Sequence, residues 1–347
     1  MSLTFRWGEL LKQILCEKIG EFKMLDVEKP TLEKGHAIIK IKRIGICGTD
    51  IHAYNGVQPF FTYPRVLGHE LSGVIDEIDS DEESLKAGDK VAIIPYRYCG
   101  KCNTCKQGKT NCCPNISVMG VHEDGGMQEY ISVPTSHLLQ VNDLSLDEAA
   151  LLEPLAIGAH AVRRGEVNCN QTIAVVGAGP IGLGIMLFAK EVGANIIAVD
   201  INENRLKFCH EWLDIKHSVN AIQNPVEAIQ QITNGNMVDI VFDATGNKKS
   251  MEQSLDFISY GGKVVYVGLT KETIQFHNPD FHKRETTLMG SRNATIEDFL
   301  NVYHMLKNSK VSIQRYITHR APFRHMLEAF PTWVNSDANV IKAMVEL

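Results

Sequence analysis

No stretch of the chain approaches the roughly 18 consecutive apolar residues that a membrane-crossing helix needs, so a bilayer is not an expected partner. An excess of positive charge is missing too. Thirty-five Lys and Arg stand against 41 Asp and Glu, for a net charge of −6 at pH 7, which disfavours nucleic acid and anionic lipid. Repeats and low-complexity segments are absent, and the N-terminus has no signal-peptide pattern. Without an export signal, the nine cysteines are not expected to form disulfides, and where they cluster they point to metal. The expectation is a soluble cytoplasmic protein with a small-molecule substrate. Residues 1–12 precede the first strand-like run and are left out of the fold reasoning.

A chain of 347 residues with 44% hydrophobic content predicts two domains with substantial cores. The first third alternates apolar and polar residues, as in Ala37-Ile-Ile-Lys-Ile-Lys-Arg-Ile, and the texture returns from Leu71 and from Lys90. This predicts a β-rich domain broken by Gly and Pro turns. The charge run Asp79-Ser-Asp-Glu-Glu-Ser reads as a solvated hairpin tip. Residues 146–164 read as one helix, which Pro154 is expected to kink, re-aiming Glu153 before it.

From Gln171 the pattern changes to alternating strands and helices. Strands are predicted at 173–176, 196–200, 217–220, 238–243, 263–268 and 286–290, implying a doubly wound parallel sheet. Pro180 suits a first helical position, Ile181, Ile185, Phe188, Ala189 and Val192 form an apolar face, and Gly193 suits the helix end. After Asn293 the chain reads as helical and then irregular.

Three constellations carry chemistry. Cys99-Gly-Lys-Cys102-Asn-Thr-Cys105, followed by Cys112 and Cys113, can supply four thiolates to a closed tetrahedral zinc site. A nucleic-acid zinc ribbon is a weaker reading of one such loop in an acidic chain. Cys47-Gly-Thr49-Asp-Ile-His52, Gly68-His69-Glu70 and Leu152-Glu153-Pro154 supply thiolate, imidazole and carboxylate, the ligand types of a catalytic zinc with an open position. Gly177-Ala-Gly179-Pro180-Ile181-Gly182 follows a strand, opens a helix and precedes Asp200. Its glycines let the backbone approach a pyrophosphate at the helix N-terminus, and Asp200 can accept both adenosine-ribose hydroxyls while repelling a 2′-phosphate, so NAD is expected.

On these motifs the chain, from about Ile14 to Leu347, resembles the zinc-containing medium-chain alcohol dehydrogenase family, in its polyol, threonine and sugar-acid branch. The resemblance implies a GroES-like catalytic domain (1–154 and 293–347, with the structural zinc lobe at 99–113) and a Rossmann NAD domain (155–292). It implies two zinc ions per chain: a catalytic one held by Cys47, His69, Glu70 and Glu153, and a structural one held by Cys99, Cys102, Cys105 and Cys113. A thiolate and two carboxylates together would blunt the metal as a Lewis acid. One glutamate is therefore expected to be labile, with Glu153 the direct ligand at rest. Thr49 and His52 match a proton relay from the substrate hydroxyl, Arg205 matches a basic position near the adenosine ribose, and Val267 and Leu269 are expected to wall the nicotinamide site. Arg292 matches a substrate-facing arginine whose fork suits a carboxylate. The implied activity is hydride transfer from a secondary alcohol of a sugar acid such as L-galactonate, or of a polyol, to NAD. A threonine dehydrogenase and a catalytically silent scaffold are the alternatives. Bacterial relatives imply a homotetramer, with a homodimer next.

Overall fold

The computed structural model describes residues 10–58, 60–80, 84–308, 311–335 and 338–347. Residues 1–9 and the centre of the charge run at 79–84 lie outside them. The chain forms two compact units, one of residues 1–153, 306–309 and 316–347, the other of 154–305 and 310–315.

The first unit is built on a seven-stranded sheet. Its long central strand His36–Ile46 pairs with Glu70–Asp79 on one side and with Lys342–Glu346 on the other, and also with Tyr130–Pro134. The alternation around Ala37 buries Ile39, Ile41 and Ile44 in the core. A smaller sheet of Leu11–Lys18, Glu21–Val27 and Arg65–Val66 is joined to it by apolar packing. Phe22, Tyr54 and Phe330 stack on one another in that core, with ring centroids 4.9–5.2 Å apart, a geometry worth about 0.5–1.5 kcal/mol per pair beyond burial. The stretch after Asn293, expected to be helical and then irregular, instead adds two strands, Ile317–Pro322 and Lys342–Glu346, parallel to each other, to the large sheet.

The second unit holds a six-stranded, all-parallel sheet. In sequence order its strands are Thr172–Val176, Asn195–Asp200, His217–Asn220, Val238–Asp243, Ile258–Tyr266 and Thr287–Gly290. They lie across the sheet in the order third, second, first, fourth, fifth, sixth. That order puts a topological switch point at the first strand, where such sheets bind dinucleotides.

Three local expectations are corrected. The helix predicted over 146–164 is two helices, Leu146–Ala150 and Leu152–Gly165, broken at Leu151. Pro154 therefore falls in the first turn of the second helix, where its missing N–H costs nothing, and it kinks neither. The helix Pro180–Val192 does not present one apolar stripe. Every residue from Gly182 to Ala189 is buried, whereas Val192 is exposed. The reason is a second neighbour besides the sheet: a Cβ at Gly158 would stand 2.6 Å from the carbonyl carbon of Gly184, so helix Leu152–Gly165 lies against it backbone to backbone. Finally, of residues 293–347, expected in the catalytic domain, 293–305 and 310–315 cluster with the second unit. The helix Ile296–Asn308 is anchored there because Asp298 accepts hydrogen bonds from Arg163 at 2.8 and 2.9 Å and lies 2.9 Å from Nδ1 of His160.

Candidate active site

Cys47 follows the central strand directly and is the N-cap of the helix Gly48–Tyr54. Asp50, in the first turn of that helix, accepts the N–H of Cys47 on one oxygen at 2.8 Å and the N–H of Gly68 on the other at 3.3 Å. One buried carboxylate thus pins together the two segments that carry Cys47 and His69. Nδ1 of His69 lies 4.0 Å from the same Asp50 and has no hydrogen-bond partner among the described residues. A buried ring nitrogen left without a hydrogen bond is what a site for a cation or a polar ligand shows.

Donor atoms of Cys47, His69 and Glu70 all fall within 4.8 Å of one another. Glu70 is fully buried, and so is Lys342, whose Nζ reaches its two oxygens at 2.6 and 2.7 Å and the carbonyl of Ile46 at 3.1 Å. Space for this carboxylate exists because the residue opposite is Gly45: a Cβ there would stand 2.1 Å from Oε2 of Glu70. Glu153 lies outside the tight group. Its carboxylate accepts a hydrogen bond from the hydroxyl of buried Tyr96. Burial, opposed by His69 and reinforced by Glu70, pushes its pKa up to about 7. Burial alone would lower the pKa of His69, but the adjacent Cys47, Asp50 and Glu153 hold it well above the ordinary imidazole value. So much negative field on one buried ring, with soft and hard donors converging, fits a divalent cation of the zinc type.

Thr49 is half-buried and His52 exposed, one turn apart on the same helix. Neighbouring protein on one side of His52 lowers its pKa.

The second donor set is a hairpin loop. Strands Tyr96–Arg97 and Ser117–Val118 pair antiparallel, and the loop between them brings the sulfurs of Cys99, Cys102, Cys105 and Cys113 within 4.8 Å of one another. Cys112 is exposed and outside the group. The Thr104 hydroxyl, 3.1 Å from the Cys102 sulfur, and the Cys105 N–H draw that thiol down to about 6, while burial and the neighbouring sulfurs push Cys105 up to about 12. Four thiols this close cannot all ionise unless a cation is shared among them, which is the chemistry of a closed zinc site.

In the second unit, the glycine turn joins the first strand to helix Pro180–Val192. A Cβ at Gly182 would stand 1.7 Å from the carbonyl oxygen of Gly177, so the turn accepts only glycine there. Asp200 ends the second strand, and its carboxylate accepts the N–H of Ala178 in the turn at 2.6 Å and that of Asn202 at 2.8 Å. The carboxylate therefore organises the turn itself, a role the sequence does not announce. The guanidinium of Arg205 comes within 3.8 Å of where a Gly179 side chain would begin, beside the turn. Val267 is half-buried and Leu269 exposed after the fifth strand. Arg292 is exposed just past the sixth strand, at the carboxyl end of the sheet, the end at which parallel sheets bind ligands.

Four residues at the first site escape sequence reading: Asp50, Tyr96, Tyr316 and Lys342. Tyr316 is fully buried, and burial followed by the charges of Glu70, Cys47 and Glu153 raises its pKa well above the ordinary value. The one local signal is Lys342, a lysine inside the apolar run Ile341-Lys-Ala-Met-Val.

A sheet that binds dinucleotides and a buried cysteine–histidine–glutamate donor set together define a metal-dependent, nicotinamide-linked dehydrogenase. Residues 33–143 match the alcohol dehydrogenase GroES-like domain and residues 180–308 the zinc-binding dehydrogenase domain. The chain is 43% identical to L-galactonate-5-dehydrogenase of Escherichia coli K12, over 96% of this chain and 98% of that one. It is 31% identical to 2-dehydro-3-deoxy-L-galactonate 5-dehydrogenase of Pseudoalteromonas atlantica, over 90% and 94%. The crystal structure of the alcohol dehydrogenase RspB from Escherichia coli CFT073, in complex with NADH, superposes with a TM-score of 0.91 at 31% identity, covering 98% of this chain and all of that one. The chain belongs to the zinc-containing medium-chain alcohol dehydrogenase family. It is an oxidoreductase that uses zinc and NAD. No helix among the described residues is long and apolar enough to cross a membrane.

Proposed function

We propose that the protein oxidises a secondary hydroxyl of a sugar acid of the L-galactonate type to a ketone, with NAD as acceptor. The observation that carries this is the 43% identity to L-galactonate-5-dehydrogenase along nearly the full length of both chains. Zinc supplies the Lewis acidity that makes a substrate hydroxyl acidic near neutral pH, and NAD supplies the hydride acceptor.

Cys47, His69 and Glu153 hold the catalytic metal in this reading, whereas Glu70, though its carboxylate lies close to the donors of Cys47 and His69, stays with Lys342. The charges support it: thiolate and one carboxylate balance a divalent cation, while Glu70 is already neutralised by Lys342. Bringing Glu70 to the metal would strand a buried ammonium, an arrangement that costs several kcal/mol, ~3–5 in typical cases. Thr49 accepts a hydrogen bond from the substrate hydroxyl, and His52 takes the proton at its imidazole and releases it to solvent. Cys99, Cys102, Cys105 and Cys113 hold the structural zinc. The glycine turn and Asp200 hold NAD, with Arg205 beside them and Val267 and Leu269 toward the nicotinamide.

Arg292 takes the substrate carboxylate. The test compares a hexonate with its neutral polyol and with threonine, following NADH absorbance, on wild type and on Arg292→Met. The substitution should lower kcat/KM for the acid by about 2–3 kcal/mol, the scale of a lost charge-assisted hydrogen bond, and should barely touch the polyol. Equal losses, or no preference of the wild type for the acid, would remove the proposal.

The same reading makes the protein a cytoplasmic homo-oligomer, a tetramer or else a dimer. The sixth strand is an exposed sheet edge, which another copy can cover. A sedimentation mass of one chain at micromolar concentration would exclude this.

A further inference from the structure

We propose that Tyr96 is the positioning residue for Glu153, and that the four-cysteine loop acts on the catalytic metal through it. The proposal rests on the reading of Glu153 as a metal ligand.

The two glutamates of the site are restrained in unlike ways. Glu70 is gripped by a buried ammonium on both oxygens and walled by Gly45. Glu153 is held by a neutral phenol, through one hydrogen bond from the Tyr96 hydroxyl to Oε1. Both partners are about 5% exposed or less, so the orientation of this carboxylate depends on where the ring of Tyr96 is kept.

The ring is kept by the hairpin. Tyr96 lies opposite Val118 and Arg97 opposite Ser117, and Met119 donates its N–H to the carbonyl of Pro95 at 3.0 Å. The loop that closes this short ladder is the four-thiol loop. Cys99 follows Tyr96 by three residues, and its N–H points at the Cys113 sulfur at 3.4 Å. Two residue pairs make a weak ladder by themselves, since isolated hairpins are marginal at best. Cross-linking the loop through its four sulfurs fixes the hairpin, the hairpin fixes the phenol, and the phenol aims the carboxylate. A closed thiolate site far from the reacting atoms in sequence thereby gains a direct route to the catalytic donor set. Partners that orient metal ligands typically contribute 10–100-fold to metal affinity.

The test uses metal-replete protein and follows metal release to a chromophoric chelator, which should show separate phases for the catalytic and four-cysteine sites. Cobalt(II) exchanged into the catalytic site adds a visible d–d spectrum that reports its donor set. Glu153→Ala should speed the catalytic phase. Tyr96→Phe keeps the ring and removes only the hydroxyl. It should speed the catalytic phase by about tenfold, shift the cobalt spectrum, and leave the four-cysteine phase as in wild type. Thr104→Val, which removes the hydroxyl beside the Cys102 sulfur, should speed the catalytic phase in wild type but not further in Tyr96→Phe. If Glu153→Ala leaves release unchanged, the ligand reading itself falls, and this inference with it. If Glu153→Ala speeds release and Tyr96→Phe changes neither rate nor spectrum, Tyr96 has no positioning role. Additive effects of Thr104→Val and Tyr96→Phe would overturn the route through the loop.

Discussion

Replacing Lys342 with methionine keeps most of the side-chain volume and removes the ammonium that three acceptors share. Its Nζ stands 2.6 and 2.7 Å from the oxygens of Glu70 and 3.1 Å from the carbonyl of Ile46. Both side chains are about 1% exposed, so water cannot take over. Breaking one side of such a buried pair typically costs about 3–5 kcal/mol. The first unit should therefore unfold about 150-fold to several thousandfold more readily, at ~1.36 kcal/mol per factor of ten. Two buried thiols allow this to be read unit by unit: Cys16 lies in the core of the first unit and Cys209 in the second, each 0% exposed. Labelling by a thiol reagent at equilibrium should accelerate at Cys16 by the factor given and stay unchanged at Cys209. Adding Glu70→Gln to Lys342→Met removes the stranded charge and should recover at least about 2 kcal/mol, since replacing both partners of a buried pair is often near neutral. An acceleration at Cys16 below about tenfold, corresponding to ~1.4 kcal/mol, would refute the argument. So would a double variant that labels as fast as the single one.

Metal-replete protein should contain two zinc ions per chain by elemental analysis. Cys102→Ser should lower stability by opening the closed site, whereas Cys47→Ser should abolish turnover with the fold intact. Wild type should strongly prefer NAD to NADP in kcat/KM, and Asp200→Ala should narrow the preference; comparable constants in wild type would contradict the role given to that carboxylate. His52 accepts a proton in its neutral form, and its pKa is lowered. Activity should therefore fall as pH drops through a value below the ordinary imidazole pKa of ~6.5. His52→Ala should erase that limb and slow turnover by roughly a hundredfold.

The strands of the parallel sheet and of the first third of the chain are legible in the sequence because each carries its own apolar signal, whereas Ile317–Pro322 and Lys342–Glu346 read as irregular, and the glycine turn is legible because its steric demand is local. Gly182 has no alternative against the Gly177 carbonyl. The surroundings of the metal site are not legible in this way. Lys342 and Glu70 are 272 residues apart and Tyr96 and Glu153 are 57 apart, so neither pairing leaves a pattern that any window along the chain reveals. The helix Pro180–Val192 shows the same limit from another side. An apolar face predicts one neighbour, but the approach of Gly158 to Gly184 supplies a second that only the folded chain displays. Leu151 breaks the expected long helix with no proline or glycine at the break. Pro154 drew the prediction three residues too far along.

The discontinuity of the first unit also bears on how the protein is made. The second unit is almost wholly contiguous, residues 154–305, and can close its parallel sheet while the ribosome is still extending the chain. The first unit cannot be completed in that order. Its sheet lacks Ile317–Pro322 and Lys342–Glu346, and the Glu70 carboxylate lacks its counter-charge, until the far end of the chain has emerged. A nascent chain paused before residue 317 therefore carries a finished nucleotide-binding unit and an unfinished metal-binding one. The edge at Arg43–Ile46, which Lys342–Glu346 covers in the finished fold, is then open to a chaperone or to another nascent chain.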